Sequence, residues 1–203
     1  MELRAIGREL REHVPFTAFG AVTGIVLMVI VVLARVPAGI SQTAFFTMHP
    51  LHVVFSAVVT TAMYRKYGSR RLIPAVLVGY FGSVGLATLS DAFIPYWGGV
   101  LLHAKMELEI PVIEEWWLVN PAALVGIAIG YLRPATKLPH FGHVLLSTWA
   151  SLFYFTAFGV AYWLPLLPFI FLFLFLAVWL PCCVSDIVFP IFFTGGRLPH
   201  HHS

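Results

Sequence analysis

The chain has 203 residues, 60% of them hydrophobic and 10% charged, with a formal net charge of +3 and a mean hydropathy of +0.89. A domain folded in water carries about 25% charged residues, so the composition excludes a soluble globular protein and implies an all-α, polytopic integral membrane bundle. A transmembrane barrel is excluded because its strands alternate apolar and polar residues, and no basic patch suggests a nucleic-acid partner.

Residues 1–13 interleave Arg4, Arg8 and Arg11 with Glu2, Glu9 and Glu12. That pattern predicts an amphipathic helix lying on the membrane surface. No small-residue cleavage site follows, so no cleavable leader is expected. Six apolar runs come next, at 14–34, 43–64, 72–93, 116–132, 141–163 and 165–193. Each approaches or exceeds the roughly 20 residues that a membrane span needs, and about six spans are expected.

With the N-terminus inside, the inner segments hold Arg4, Arg8, Arg11, Arg65, Lys66, Arg70, Arg71, Arg133, Lys137 and Arg197, against Arg35 and Lys105 outside. This bias places both termini in the cytoplasm of a multi-pass cell-membrane protein.

The chain also repeats itself. Ser90-Asp91 is followed by Pro95 and Gly98-Gly99; Ser185-Asp186 is followed by Pro190 and Gly195-Gly196. Asp91 stands 19 residues after Leu72 of a Leu-Ile-Pro cue, and Asp186 stands 20 after Leu166 of a Leu-Leu-Pro cue. Upstream, His49-Pro50-Leu51-His52 matches His140-Phe141-Gly142-His143. Such a period marks an internal duplication, with one three-span repeat over 14–115 and a second over 116–203. Three spans are an odd number, so the halves are expected to be inverted, as in many transporters. His49, His52, Asp91 and His103 are then expected toward the outer face, and His140, His143 and Asp186 toward the inner one. The terminal His200-His201-His202 has the form of a purification tag and carries no weight. Gly98-Gly99 and Gly195-Gly196 read as helix terminators.

The segment 94–115 is the acidic one, with Glu107, Glu109, Glu114 and Glu115 ahead of Trp116 and Trp117. If it is helical, His103 and Glu107 share a face. Cys182 and Cys183 read first as small buried hydrophobes, with a soft metal ligand or redox pair beside Asp186 as the alternative.

Two histidines three apart on a helix point the same way, and with a carboxylate from another span they suit a divalent transition metal. The candidate ligands are His49, His52, Asp91, His103, Glu107, His140, His143 and Asp186. Imidazole and carboxylate suit zinc, iron, manganese or nickel alike. Asp91 and Asp186 are the sharper signal, since a carboxylate in a span is costly unless paired or coordinated. An aspartate after serine also serves as a helix cap, and histidines near an interface are common.

The leading functional reading is a divalent transition-metal transporter. A conduit holding two b-type haems, a membrane-embedded metal hydrolase, and a structural subunit of a larger membrane complex are the alternatives. The bilayer and a metal ion are the expected partners, with self-association into a homo-oligomer open.

Overall fold

The computed structural model describes residues 3–67, 71–133 and 137–193. Six long helices account for most of them: α1 (Leu3–Leu33), α2 (Ala38–Tyr67), α3 (Leu72–Leu101), α4 (Trp116–Leu132), α5 (Lys137–Phe158) and α6 (Leu167–Cys183). A two-stranded antiparallel ribbon, β1 (Lys105–Met106) and β2 (Gly159–Val160), ties the α3–α4 connection to the end of α5. Three helical stretches, Ala38–Lys66, Leu72–Leu101 and Leu164–Cys182, are long and apolar enough to cross a membrane; Thr17–Leu33 and Trp116–Leu132 are shorter apolar helices. Large side chains such as Phe19, Ile30, Leu124, Leu132, Phe169 and Leu172 stand exposed on the outside of the bundle. Water would penalise that surface, whereas lipid tails match it.

Helix α2 is the central post and packs on both α5 and α4, while α1 covers α5 and α6. On one side Met28, Leu152, Phe155, Ile170 and Leu174 interlock; on the other Val53, Val84, Ala87, Val119 and Ala123 do so. The α2–α4 contact depends on two glycines. A Cβ on Gly126 or Gly130 would strike the backbone carbonyl oxygen of Val54 or Val58. Small residues four apart let two membrane helices approach to backbone contact where apolar burial gives no drive for association.

Helix α3 is not regular. It widens into π-helical turns at Phe81–Gly85 and Leu89–Phe93, and a third such turn, Val184–Val188, follows α6 and leads into the short helix Phe189–Phe193. Proline explains the second and third. Pro95 and Pro190 each stand four residues after an aspartate, so the carbonyls of Asp91 and Asp186 lose the N–H that an α-helix would offer them and the ring crowds the preceding turn. The Ile94 N–H donates to Leu89 O, leaving the Ser90 carbonyl to another donor. Similarly, the Leu86 N–H donates to Ser83 O, which frees the Gly82 carbonyl.

Three expectations are corrected here. Residues 3–33 form one unbroken helix, so the charged segment 1–13 is continuous with the first apolar run over its described part. Gly98 and Gly99 do not end α3, which continues to Leu101; they admit the Phe173 ring and the Met106 sulfur against the helix. Their counterparts Gly195 and Gly196 lie outside the described residues. His103 and Glu107 do not share a helical face. The helix has ended by then, His103 takes a left-handed φ of 60° as a terminating residue does, and the chain turns into β1.

Candidate metal centre

Asp91 is fully buried inside the bundle, and its two carboxylate oxygens divide their partners cleanly. Oδ2 accepts from His49 Nδ1 at 2.9 Å and from His52 Nδ1 at 2.6 Å. Oδ1 accepts from the Ser90 hydroxyl at 2.6 Å and from the Ser147 hydroxyl at 2.9 Å. Four donors around one carboxylate are what an ionised group needs where no water solvates it. Each charge-assisted hydrogen bond of this kind contributes about 1.5–3 kcal/mol.

The local sequence produces this arrangement. His49 and His52 lie three apart on α2, so both rings leave the same face. The π turn at Leu89–Phe93 presents Ser90 and Asp91 together to the interior, where both are buried. Its freed Ser90 carbonyl accepts the Ser151 hydroxyl at 3.0 Å, and Ser147 lies one turn from Ser151 on the same face of α5. The other freed carbonyl, Gly82 O, accepts the Ser185 hydroxyl at 3.1 Å; Ser185 also meets Ser56 and Thr60 of α2 at 3.1 Å each. The irregular turns of α3 are thus satisfied by hydroxyls from other helices, as an apolar surrounding demands.

The imidazoles are left half-used. With Nδ1 donating to Asp91, a neutral ring carries its lone pair on Nε2. The Nε2 atoms of His49 and His52 are buried and have no hydrogen-bond partner among the described residues. His49 stacks on Phe45 at 5.6 Å between centroids. His52 faces His143 with ring centroids 4.6 Å apart.

Among the described residues, two overlapping groups are able to hold a metal ion: His49, His52 and Asp91, and His52, His143 and Cys182, each with one donor atom per residue within 4.8 Å of the others. Around a tetrahedral ion with bonds of 2.0–2.3 Å the donors stand about 3.5 Å apart, so a small contraction or expansion suffices in either group. Depth follows from a rise of 1.5 Å per residue, counted from the helix ends beside the ribbon. His49 and Asp91 lie about 16 Å down, and His52, His143 and Cys182 about 22 Å.

Of the ligands expected from the sequence, the structure gathers His49, His52, Asp91 and His143. His143 joins His52 instead of standing near a separate inner face, because α5 begins at Lys137 and carries His143 almost two turns inward. His103 and Glu107 are exposed beside the ribbon and take no part. The side chains of His140 and Asp186, together with His200, lie outside the described residues.

Sequence reasoning placed Cys182 second as a ligand, and then only beside Asp186, and it missed Ser147 and Ser151. Cys182 lies within an all-apolar run and had no period to tie it to a histidine. The serines did carry a signal, since His143, Ser147 and Ser151 recur at intervals of four along one face. No protein-family model, curated protein or solved structure matches the chain.

Proposed function

We propose that the chain is a six-span cell-membrane protein, both termini cytoplasmic, that carries a divalent transition metal across the bilayer through the His49–His52–Asp91 centre. The supporting observation is that centre itself: two imidazoles and one carboxylate, wholly buried inside the bundle, with one donor atom from each within 4.8 Å of the others. Coordination through Nδ1 requires the ring proton to move to Nε2, which has no other partner to displace among the described residues. The buried polar residues of α2, Ser41, His49, His52, Ser56 and Thr60, follow one another along the helix and supply polar steps through an otherwise apolar thickness.

The 3+3 inverted repeat, 14–115 and 116–203, belongs to the same proposal. Both Ser-Asp stretches occupy π turns four residues ahead of a proline, and irregular helices at the repeat interface are where transporters of this kind bind their ions. Zinc, iron, manganese and nickel all suit the donors.

The test is elemental analysis of the detergent-purified protein, followed by metal uptake into proteoliposomes. Asp91→Asn removes the charged ligand and should lower uptake by at least the roughly 10–100-fold seen when only a ligand's outer partner is lost. A wild-type protein that neither binds nor transports any of the four metals overturns the reading. An ultraviolet–visible spectrum of the same sample tests the haem alternative. That alternative is less favoured, since ring centroids 4.6 Å apart leave no room for a macrocycle between His52 and His143.

One observation favours a second reading. Among the described residues, His49, His52 and His143 meet in one place, as a membrane metal hydrolase requires, and three protein ligands leave a position for water. Metal-dependent release of fatty acid from mixed micelles, lost in Asp91→Asn, would favour it over transport.

A further inference from the structure

The side chain common to both candidate groups is His52. Its Nδ1 belongs to the Asp91 side, at 2.6 Å from Oδ2. The nitrogen left for His143 and Cys182 is therefore Nε2, which is buried and has no hydrogen-bond partner among the described residues. Cys182 and His143 are themselves buried, at 3% and 1% exposure, so all three residues of the second group lie inside the bundle.

We propose that His52, His143 and Cys182 form a second coordination station, and that the two stations are mutually exclusive because they share His52. A neutral imidazole carries one proton on its two nitrogens. With the proton on Nδ1, His52 donates to Asp91 and offers Nε2 to the Cys182 station. With the proton on Nε2, it offers Nδ1 to the His49–Asp91 station and is blocked on the other side. One ion is held at a time. Moving it between stations costs a ring-proton shift and a displacement of about one helical turn along the bundle.

The chemistry of the two stations differs. The first is a nitrogen–oxygen set. The second adds a sulfur ligand that binds as thiolate, its proton released to solvent as the metal enters. Thiolate with two imidazoles favours zinc and other borderline or soft ions and disfavours magnesium and manganese. The deeper station thereby acts as the selective one. This inference rests on the metal-binding reading above, and the experiment separates the two.

Full-length protein in detergent is titrated with Co²⁺, an optical probe for sites of this type, and the thiolate-to-cobalt charge-transfer absorption in the near ultraviolet is recorded. The expected result is one Co²⁺ per chain with that absorption present. Cys182→Ser should still bind one Co²⁺, at the His49–Asp91 station, without the absorption; Cys183→Ser should keep it. Asp91→Asn should retain both the ion and the absorption, because the Cys182 station survives. Zn²⁺ should displace the Co²⁺, and Mn²⁺ in tenfold excess should not. Co²⁺ binding without the thiolate absorption in the wild type, or two Co²⁺ per chain, overturns the proposal while leaving the metal-binding reading in place. No Co²⁺ binding, together with no binding of the other metals, overturns both. Size-exclusion profiles of each variant identify any that fails to fold, and the wild-type absorption and stoichiometry decide without them.

Discussion

His52 and His143 are far apart in sequence, on different helices and in different halves of the chain, yet their rings face each other with centroids 4.6 Å apart. That contact joins the two candidate metal groups, and the Asp91 carboxylate fixes the His52 ring from the other side. The stability of the bundle should therefore depend on Asp91 even where no metal is present.

Asp91→Ala leaves two imidazole N–H groups and two hydroxyls facing a void. Each buried donor left without an acceptor costs about 1–3 kcal/mol. Asp91→Asn keeps the volume and one acceptor oxygen, and its loss should be smaller. Thermal unfolding in detergent, with chelator present, should rank the proteins wild type, Asn, Ala. An Ala variant as stable as wild type would show that the four hydrogen bonds at Asp91 contribute nothing net.

The α2–α4 contact makes a sharper packing prediction. Gly130→Leu forces a side chain into the backbone at Val58, which cannot withdraw, and overpacking of this kind costs about 1–3 kcal/mol or more. Gly85 meets nothing within 4 Å of an added Cβ and has helical φ and ψ, so Gly85→Ala should be neutral or stabilise by about 0.5–1 kcal/mol. The two melting temperatures, measured side by side, should move in opposite directions.

Topology is tested by labelling. In a background lacking Cys182 and Cys183, a cysteine replacing Glu107 should react with an impermeant maleimide added to whole cells. One replacing Lys66 should react only after permeabilisation. The reverse result would overturn the six-span orientation and the inverted-repeat proposal with it.

The acidic connection predicts a pH effect. Glu109 lies beside the ribbon, where its backbone N–H donates to the Tyr154 hydroxyl at 2.9 Å. Burial, then the charges of Glu114, Glu115 and Glu107, push its carboxyl above the ordinary glutamate range. The folded protein thus holds this proton more tightly than the unfolded chain does. Below a pH of about 4.3, the unfolded glutamate value, the folded state suffers no penalty from Glu109. Stability falls as pH rises from there through the folded value. Glu109→Gln should flatten that part of the stability–pH curve, as read from melting temperatures across the acidic range. An unchanged slope would remove Glu109 as its source.

The sequence alone set the long apolar helical runs, since 60% of its residues are hydrophobic and 10% charged, and three helices of the structure are long and apolar enough to cross a membrane. It also determined the first half of the centre. Three residues of helix turn His49 and His52 to one side, and a lone aspartate in an apolar run must find partners there. Even two of the three irregular turns were written locally, because a proline four residues after each aspartate removes a specific hydrogen bond. What the sequence left open was which helices would face one another. The register that sets His143 and Cys182 against His52 comes from packing α5 and α6 around α2, and that packing rests on nonlocal fits such as the seating of Gly126 and Gly130 on α2. Helical periodicity fixes the face a residue occupies, whereas the residue opposite is decided by close packing between helices far apart in the chain. Cys182, with only its neighbourhood to Asp186 to recommend it in the sequence, joined the two histidines through that packing alone.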